Sequence, residues 1–254
     1  MAKIVTPSVP TSMPIIDSGD HILQGGASGD VFMIMSSEFS LTINGSDGSD
    51  WILFNEGAIT FDMNQTAAQN TGYGTHTISS IEGIVTSNRL ELPGQDVIIG
   101  SASDNVFMTY HGDDKIEAGD GRDFILAGSG NDTVTGGNGT DYFIFGDKLD
   151  KKTNVDKVTD FKHKTDKIVL SKYGYDDLGG KFSIFAKAGK AGDLKKSAFY
   201  EGKKAHDKDD RIIYDKKTGA LYYDPDGTGK TAQVKFATLT NKPKGLTADD
   251  FYIM

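Results

Sequence analysis

Residues 94–145 decide the fold, and in one-letter code they read GQDVIIGSASDNVFMTYHGDDKIEAGDGRDFILAGSGNDTVTGGNGTDYFIF. Aspartates recur in this stretch with a strict spacing of nine, at Asp114, Asp123, Asp132 and Asp141. An apolar residue follows each of them by two positions, at Ile116, Ile125, Val134 and Phe143. With upstream spacings of eight and ten, the frame extends to Asp96 with Ile98 and Asp104 with Val106. A nine-residue repeat with a phased apolar position predicts a solenoid of stacked short strands.

Glycines stand at fixed positions before these aspartates. One lies two residues before, at Gly94, Gly112, Gly121, Gly130 and Gly139, and another lies four residues before, at Gly119, Gly128 and Gly137. Because glycine adopts positive φ angles without a clash, the pattern predicts tight turns that end at each aspartate. Stacked turns bring together carboxylates and backbone carbonyls of neighbouring coils, and a cation is needed to offset the repulsion between the carboxylates. An all-oxygen donor set without sulfur or clustered imidazole favours calcium. An acidic, glycine-rich linker is the alternative, but linkers lack the phased apolar residue.

The loops resemble those of a known family. Residues 136–144, GGNGTDYFI, are similar to the G-G-x-G-x-D-x-U-x consensus of the RTX (hemolysin-type) calcium-binding repeat. The resemblance implies a parallel β-roll with two nonapeptides per turn and calcium between loops n and n+2. It pairs Asp114 with Asp132 and Asp123 with Asp141, and less well Asp96 with Asp114 and Asp104 with Asp123. Tyr110 and Ala102 replace glycines upstream, so weaker sites are expected there.

Charge is distributed unevenly over the 254 residues, whose net charge is -9. Residues 1–146 hold four basic and 19 acidic residues, whereas the remainder holds 23 basic and 17 acidic ones. This split indicates an acidic part neutralised by metal, followed by a differently built end. Lysines interleaved with aspartates, without a supporting motif, argue against nucleic acid as a partner. The absence of cysteine excludes disulfides and zinc–thiolate sites, and no run predicts a transmembrane segment or a cleavable signal peptide.

The first part of the chain predicts an arm followed by irregular coils. Residues 1–14, with prolines at positions 7, 10 and 14, predict a flexible arm. Residues 15–93 predict an irregular β-solenoid with degenerate repeats, in which Asp30 precedes Phe32 and Asp50 precedes Ile52. The GSDGSD segment at 45–50 is either a cation site or a plain β-turn. Residues 94–146 are then the calcium-binding β-roll.

Residues 147–254 predict a small β-rich C-terminal cap. The segment 154–171, NVDKVTDFKHKTDKIVLS, resembles the one that closes RTX rolls. By that resemblance Asp160 completes the last calcium site, and the alternative is a surface aspartate ahead of core Phe161. Three alternating runs between residues 211 and 239 predict an antiparallel meander. Its DPDGTG turn opens like a calcium loop, but Lys235 stands where such a loop needs glutamate, so a hairpin is favoured.

The C-terminal sequence LTADDFYIM resembles the uncleaved signal of type I secretion substrates. The alternative is a last strand or helical turn packed on the cap. The resemblance implies export through the type I secretion machinery, and therefore a secreted, extracellular protein.

Catalytic motifs are absent from the sequence. The five histidines are scattered without HExxH, and neither G-x-S-x-G nor a cysteine nucleophile occurs. The sequence therefore predicts a secreted, non-enzymatic calcium-binding RTX protein that folds when it binds calcium outside the cell. The first alternative is an extracellular adhesin or polysaccharide-binding protein, with an exopolysaccharide or host surface as partner. A glycan-modifying enzyme is the second.

Overall fold

The computed structural model describes residues 15–17, 22–34, 40–55, 57–86, 94–175 and 181–254. The arm predicted at 1–14 lies outside these ranges. The described residues form short β-strands and two single-turn 3-10 helices, with no α-helix among them. None of their helices is long and apolar enough to span a membrane. The predicted all-β class is confirmed.

The strands follow one another closely along the chain. Before the regular repeats they are β1 Ile15–Asp17, β2 Ile22–Gln24, β3 Val31–Ile34, β4 Thr42–Asn44, β5 Trp51–Phe54, β6 Thr60–Asp62, β7 Gln69–Asn70, β8 Thr75–Ser79 and β9 Gly83–Val85. Within the repeats they are β10 Val97–Ile99, β11 Val106–Met108, β12 Lys115–Glu117, β13 Asp120–Gly121, β14 Phe124–Leu126, β15 Thr133–Thr135, β16 Asn138–Gly139 and β17 Tyr142–Phe145. After them come β18 Asp156–Val158, β19 Lys167–Leu170, β20 Tyr173–Tyr175, β21 Lys181–Ser183, β22 Gly192–Asp193, β23 Phe199–Glu201, β24 Ile212–Asp215, β25 Ala220–Tyr223, β26 Val234–Leu239 and β27 Phe251–Ile253. The 3-10 helices are Lys196–Ala198 and Ala248–Asp250.

Two long sheets run through the molecule. One has the order β1-β3-β5-β9-β11-β14-β17-β19-β27-β22, and the other the order β23-β24-β25-β26-β18-β15-β12-β10-β6. In the repeats, the main strands β10, β11, β12, β14, β15 and β17 alternate between the two sheets, so each pairs in parallel with the main strand two repeats away, while β13 and β16 form a separate two-stranded sheet. Ile98 pairs with Ile116, and Ile116 with Val134, in one sheet. The predicted parallel β-roll with two nonapeptides per turn is therefore confirmed.

The inward-facing residues correct the predicted repeat frame. Phe107, rather than Val106, pairs with Ile125 and belongs to the central core, where it is fully buried. Val106 instead packs in a small separate cluster with Trp51 and Phe124. The strict spacing of nine thus continues upstream through Asn105, and the predicted pairing of Asp104 with Val106 is wrong. The error arose because two apolar residues are adjacent here and aspartate was used to mark the phase.

The coils before the repeats join the same sheet. Phe32 pairs in parallel with Ile52, Ile52 with Ile84, and Ile84 with Phe107. All four side chains are fully buried. Strands β2, β4, β8 and β7 form a separate small sheet, in which β2, β4 and β8 are parallel. The stacked architecture therefore starts well before the regular spacing does.

The C-terminal meander extends a long sheet of the roll. Strands β24, β25 and β26 are antiparallel neighbours, as the sequence predicted, and the favoured hairpin across DPDGTG is confirmed. Strand β26 then pairs in parallel with β18, which follows the last repeat. The terminal strand β27 pairs in parallel with β19 and antiparallel with β22, with Phe251 and Ile253 fully buried. The chain therefore ends in a packed strand.

Candidate metal sites

The repeat aspartates form two hydrogen-bonded files, in which each backbone N–H donates to the carboxylate Oδ1 of the next coil. The first file contains Asp96, Asp114, Asp132 and Asp156, with N–H···O distances of 2.8, 2.8 and 3.2 Å. The second file contains Asn105, Asp123, Asp141 and Asp166, with distances of 2.7, 3.2 and 3.2 Å. The predicted pairs of Asp114 with Asp132 and of Asp123 with Asp141 are thus in direct contact. Their role as metal ligands remains a prediction.

The second carboxylate oxygen, Oδ2, is buried in the four central aspartates, and no described residue offers it a hydrogen bond. These aspartates are Asp114, Asp123, Asp132 and Asp141, and none is more than 2% exposed. An ionised carboxylate buried without a partner is costly, so such oxygens call for a ligand. Each of the four oxygens lies in a loop that also carries closely stacked backbone carbonyls. Carboxylate and carbonyl oxygens are hard donors, and this kind of donor set fits calcium.

Burial raises the pKa of every one of these carboxyl groups. It raises the pKa of Asp114 and of Asp123 to about 8, and neighbouring aspartates add to the rise. For Asp132 the pKa rises to about 9, again from burial first and then from the charge of Asp156. The pKa of Asp141 rises less, to about 6, partly because Lys162 lies nearby. Acids predominate among the groups that shift these pKa values, so ionising all four carboxyl groups in the folded chain calls for a cation to offset their charge.

Stacking of the loops is close enough to require glycine. Gly112 and Gly130 have φ angles of 135° and 141°, in the region that other residues rarely adopt. A Cβ atom added to Gly130 would overlap the carbonyl oxygen of Gly112, and one added to Gly112 would overlap that of Gly94. Backbone carbonyls of successive coils therefore stack in a file of their own.

Two of the predicted ligands, Asp104 and Asp160, lie outside the two files. Asp104 is outside the files, because it is exposed and binds Arg122 through a 2.9 Å ion pair and a 2.8 Å hydrogen bond from the Arg122 N–H. Asn105, which sequence reasoning missed, takes its place. Asp160 accepts hydrogen bonds from the N–H groups of Gly136 and Gly137, at 2.9 and 2.7 Å, so it caps the last loop instead of joining a file.

Asp96 begins the first file, but its surroundings differ from those of the central aspartates. Its Oδ1 accepts the Ile59 N–H at 2.9 Å. Burial raises its pKa, while the hydrogen bonds from Ile59 and Thr86 oppose that rise. Its Oδ2 is not among the buried oxygens that lack a partner, and the weaker upstream site remains a prediction.

The two files end at aspartates that sequence reasoning did not select. Asp156 and Asp166 are buried, and each is followed two positions later by a buried apolar residue, Val158 or Ile168. That signal was available in the sequence. It was missed because the coil grows from 18 residues between Asp114 and Asp132 to 24 and 25 at the last step.

A comparison with family models identifies the repeats. Residues 92–125 and 117–147 match the model of the RTX calcium-binding nonapeptide repeat, in four copies. The chain carries RTX calcium-binding repeats. The glycines and aspartates of residues 94–146, which we call the RTX roll, are therefore those of a calcium-binding family. A search of curated proteins finds no match to the chain.

A further acidic group lies in the cap, away from the RTX roll. Ligand atoms of His206, Asp207 and Asp210 lie within 4.8 Å of one another. Asp210 Oδ2 accepts the N–H groups of His206 and Asp207, at 2.6 and 2.9 Å. These bonds close a turn before strand β24, which accounts for the cluster as local structure.

Proposed function

We propose that this chain is a secreted, non-enzymatic calcium-binding RTX protein that folds when it meets calcium outside the cell. The observation that carries the proposal is the set of four buried Oδ2 atoms in the two files, for which no described residue provides a donor. Where calcium is scarce, ionised carboxylates in these positions oppose the compact roll. Where calcium is plentiful, it offsets their charge and completes the loops.

Folding and binding are coupled under this proposal. The files join residues from separate coils, so the unfolded chain holds no preformed site, and the binding free energy contributes to folding. Calcium sites of extracellular modules typically have dissociation constants of about 10⁻⁴–10⁻³ M. Affinity in this range would leave the chain unfolded in the cell and folded outside it.

The position of the C-terminal strand supports export before folding. Phe251 and Ile253 of β27 are fully buried between β19 and β22. Asp250, just before them, accepts hydrogen bonds from Lys164 N–H and His163 and is 1% exposed. A secretion machinery that reads these terminal residues could reach them only in the unfolded chain. Calcium-dependent folding would keep them accessible until export is complete.

Calcium titration of the EDTA-treated chain, followed by far-UV circular dichroism, tests the proposal. We expect a cooperative gain of β-sheet signal with calcium, and magnesium is the control because it dehydrates reluctantly and prefers a stricter octahedral site. A fully folded spectrum in EDTA would contradict it and would favour the adhesin or polysaccharide-binding alternative. Turnover of alginate-like or pectic polymers would contradict the non-enzymatic part.

A further inference from the structure

The loop at residues 45–50 reproduces the backbone of the RTX loops although it lies outside the matched repeats. Ser46 and Gly48, four and two residues before Asp50, have φ angles of 76° and 133°. Positive φ occurs at the same two positions before Asp123, Asp132 and Asp141, at Gly119 and Gly121, Gly128 and Gly130, and Gly137 and Gly139. Ser46 is not glycine, so this loop holds the same conformation with a residue that rarely adopts it.

Asp50 also occupies a carboxylate file of its own, which we call the third file. Its Oδ1 accepts the N–H of Asp30 at 2.7 Å, and its own N–H donates to Glu82 Oε2 at 2.8 Å. Asp50 is fully buried. Its Oδ2 is buried as well and has no hydrogen-bond partner within the described ranges. Asp50 therefore has the same bonding pattern as the central aspartates of the RTX roll.

The free oxygen of Asp50 points to the start of its own loop. A Cβ added to Gly45, five residues before Asp50, would collide with Asp50 Oδ2 and with the Ser80 carbonyl oxygen. In the RTX roll, a Cβ added to Gly136 would likewise collide with Oδ2 of Asp141, five residues later. The carboxylate oxygen and a carbonyl of the next coil thus converge on one place in the N-terminal loop.

The described coils before the RTX roll contain no lysine or arginine that could balance this file. Nine acidic residues and no lysine or arginine lie between Lys3 and Arg89. Burial lowers the pKa of His76, so this histidine is neutral near pH 7. A cation that offsets the charge of the third file would therefore not be a lysine or arginine of these coils.

We infer that the loop at residues 45–50 binds a further calcium ion, held by Asp50 Oδ2 and by backbone carbonyls of the stacked loops, including that of Ser80. All the oxygens that would hold it lie outside residues 92–147, so the inference goes beyond the repeats. Calcium-dependent order then extends into the coils before the RTX roll. Of the two interpretations of GSDGSD left open by the sequence, the cation site is the one that the buried oxygen favours.

Trp51 makes the site measurable, because it is the only tryptophan and directly follows Asp50. Terbium replaces calcium at oxygen sites and emits when a nearby tryptophan is excited. We expect the full-length chain to give saturable Trp51-sensitised terbium emission that calcium competes away. Asp50→Asn, which keeps the shape and an acceptor oxygen, should lower this emission at least tenfold and remove one calcium from the calorimetric stoichiometry.

Two control variants separate this site from its neighbours. Asp47→Asn removes an exposed acid of the same loop and should leave the emission unchanged. Asp123→Asn is needed because Trp51 also packs near Phe124, so terbium bound in the second file could contribute. Emission that survives Asp123→Asn supports the inference, even if Asp50→Asn fails to fold. Emission that Asp123→Asn abolishes, or that persists in Asp50→Asn, overturns it, and so does its absence from the unsubstituted chain. The calcium midpoint of folding, measured separately, reports on the RTX roll itself.

Discussion

The RTX roll and the coils before it, in residues 22–86, build the same kind of carboxylate file on very different residue spacings. In the roll, successive members of a file are 18 residues apart. In the third file the steps are 20 and 32 residues. Both regions nevertheless bury an apolar residue two positions after the acid, such as Ile52 after Asp50 or Val134 after Asp132.

This difference distinguishes the features that the stacked architecture requires from the regular residue spacing, which it does not require. Each coil must present an inward apolar side chain and an acceptor for the N–H group of the neighbouring coil. The number of residues between these points is free, because extra residues can leave the stack as loops. The regular spacing of the RTX roll therefore makes the sites easy to detect, but the spacing is not needed to form them.

The largest expected effect tests whether the two regions share one stacking geometry. Gly130→Ala and Gly45→Ala each place a methyl group against a carbonyl oxygen of a neighbouring coil. We expect each substitution to lower the free energy of unfolding by about 3 kcal/mol, because the backbone atoms of the neighbouring coil cannot easily move aside. Chemical denaturation in calcium would measure the loss.

Gly192→Ala is the matched control for these two variants. Gly192 also has a positive φ, 118°, but a Cβ there would meet nothing within 4 Å. It should therefore show only the conformational cost of about 1–2 kcal/mol. Equal losses for Gly192→Ala and Gly130→Ala would show that close stacking is unimportant.

The next effect concerns charge in the centre of the first file. Asp132→Asn preserves the hydrogen bond to Asp114 N–H but removes the charge that we assign to a calcium ligand. We expect the calcium midpoint of folding to rise about tenfold, equivalent to about 1.4 kcal/mol of linked binding free energy. Circular dichroism during calcium titration measures it. Asp120→Asn, at an exposed loop residue, is the control and should leave the midpoint in place. An unchanged midpoint in Asp132→Asn would count against the assigned ligand set.

Much of the roll could be predicted from the sequence, because its acids, turns and apolar residues repeat in one phase. The fold class followed from that phase, and the resemblance to the RTX family implied the pairs of Asp114 with Asp132 and Asp123 with Asp141. Asn105 could not be found by looking for aspartates, since it joins the file through its backbone N–H, while its side-chain Oδ1 accepts the Ser101 N–H. For the third file, the sequence placed Asp30 and Asp50 in degenerate repeats, but their contacts could not be predicted because steps of 20 and 32 residues carry no periodic signal.

A smaller, graded effect is expected from pH, with opposite signs in the absence and presence of calcium. The raised pKa values of Asp114, Asp123 and Asp132 mean that the folded chain without calcium favours the protonated carboxyls. Their contribution is fully present below the unfolded pKa of about 4 and is lost as pH rises through about 8 to 9. In EDTA, the residual β-sheet signal of the roll in far-UV circular dichroism should therefore fall from about pH 5 to about pH 9.

Calcium should reverse this trend, because it binds the deprotonated carboxylates. The calcium midpoint of folding should then fall as pH rises over the same interval. A midpoint that is independent of pH would show that the buried carboxyls do not exchange protons for metal. Burial also raises the pKa of Asp50. If the third file binds calcium, its calcium binding should therefore also strengthen as pH rises.

The smallest expected effect tests the corrected repeat frame at Asp104 and Asn105. Asp104→Ala removes an exposed ion pair with Arg122, and exposed pairs contribute less than about 1 kcal/mol. We expect a calcium midpoint within about twofold of the unsubstituted chain, since 1.4 kcal/mol would be needed for a tenfold change. Asn105→Ala is the informative partner, because it removes the acceptor of the Ser101 N–H but keeps the backbone N–H that donates to Asp123 in the second file. Asp104→Ala could instead raise the calcium midpoint as strongly as Asp132→Asn. Asp104, rather than Asn105, would then be the residue that belongs to the repeat frame. The regular spacing of nine would then start only at Asp114, and the irregular coils would reach further along the chain.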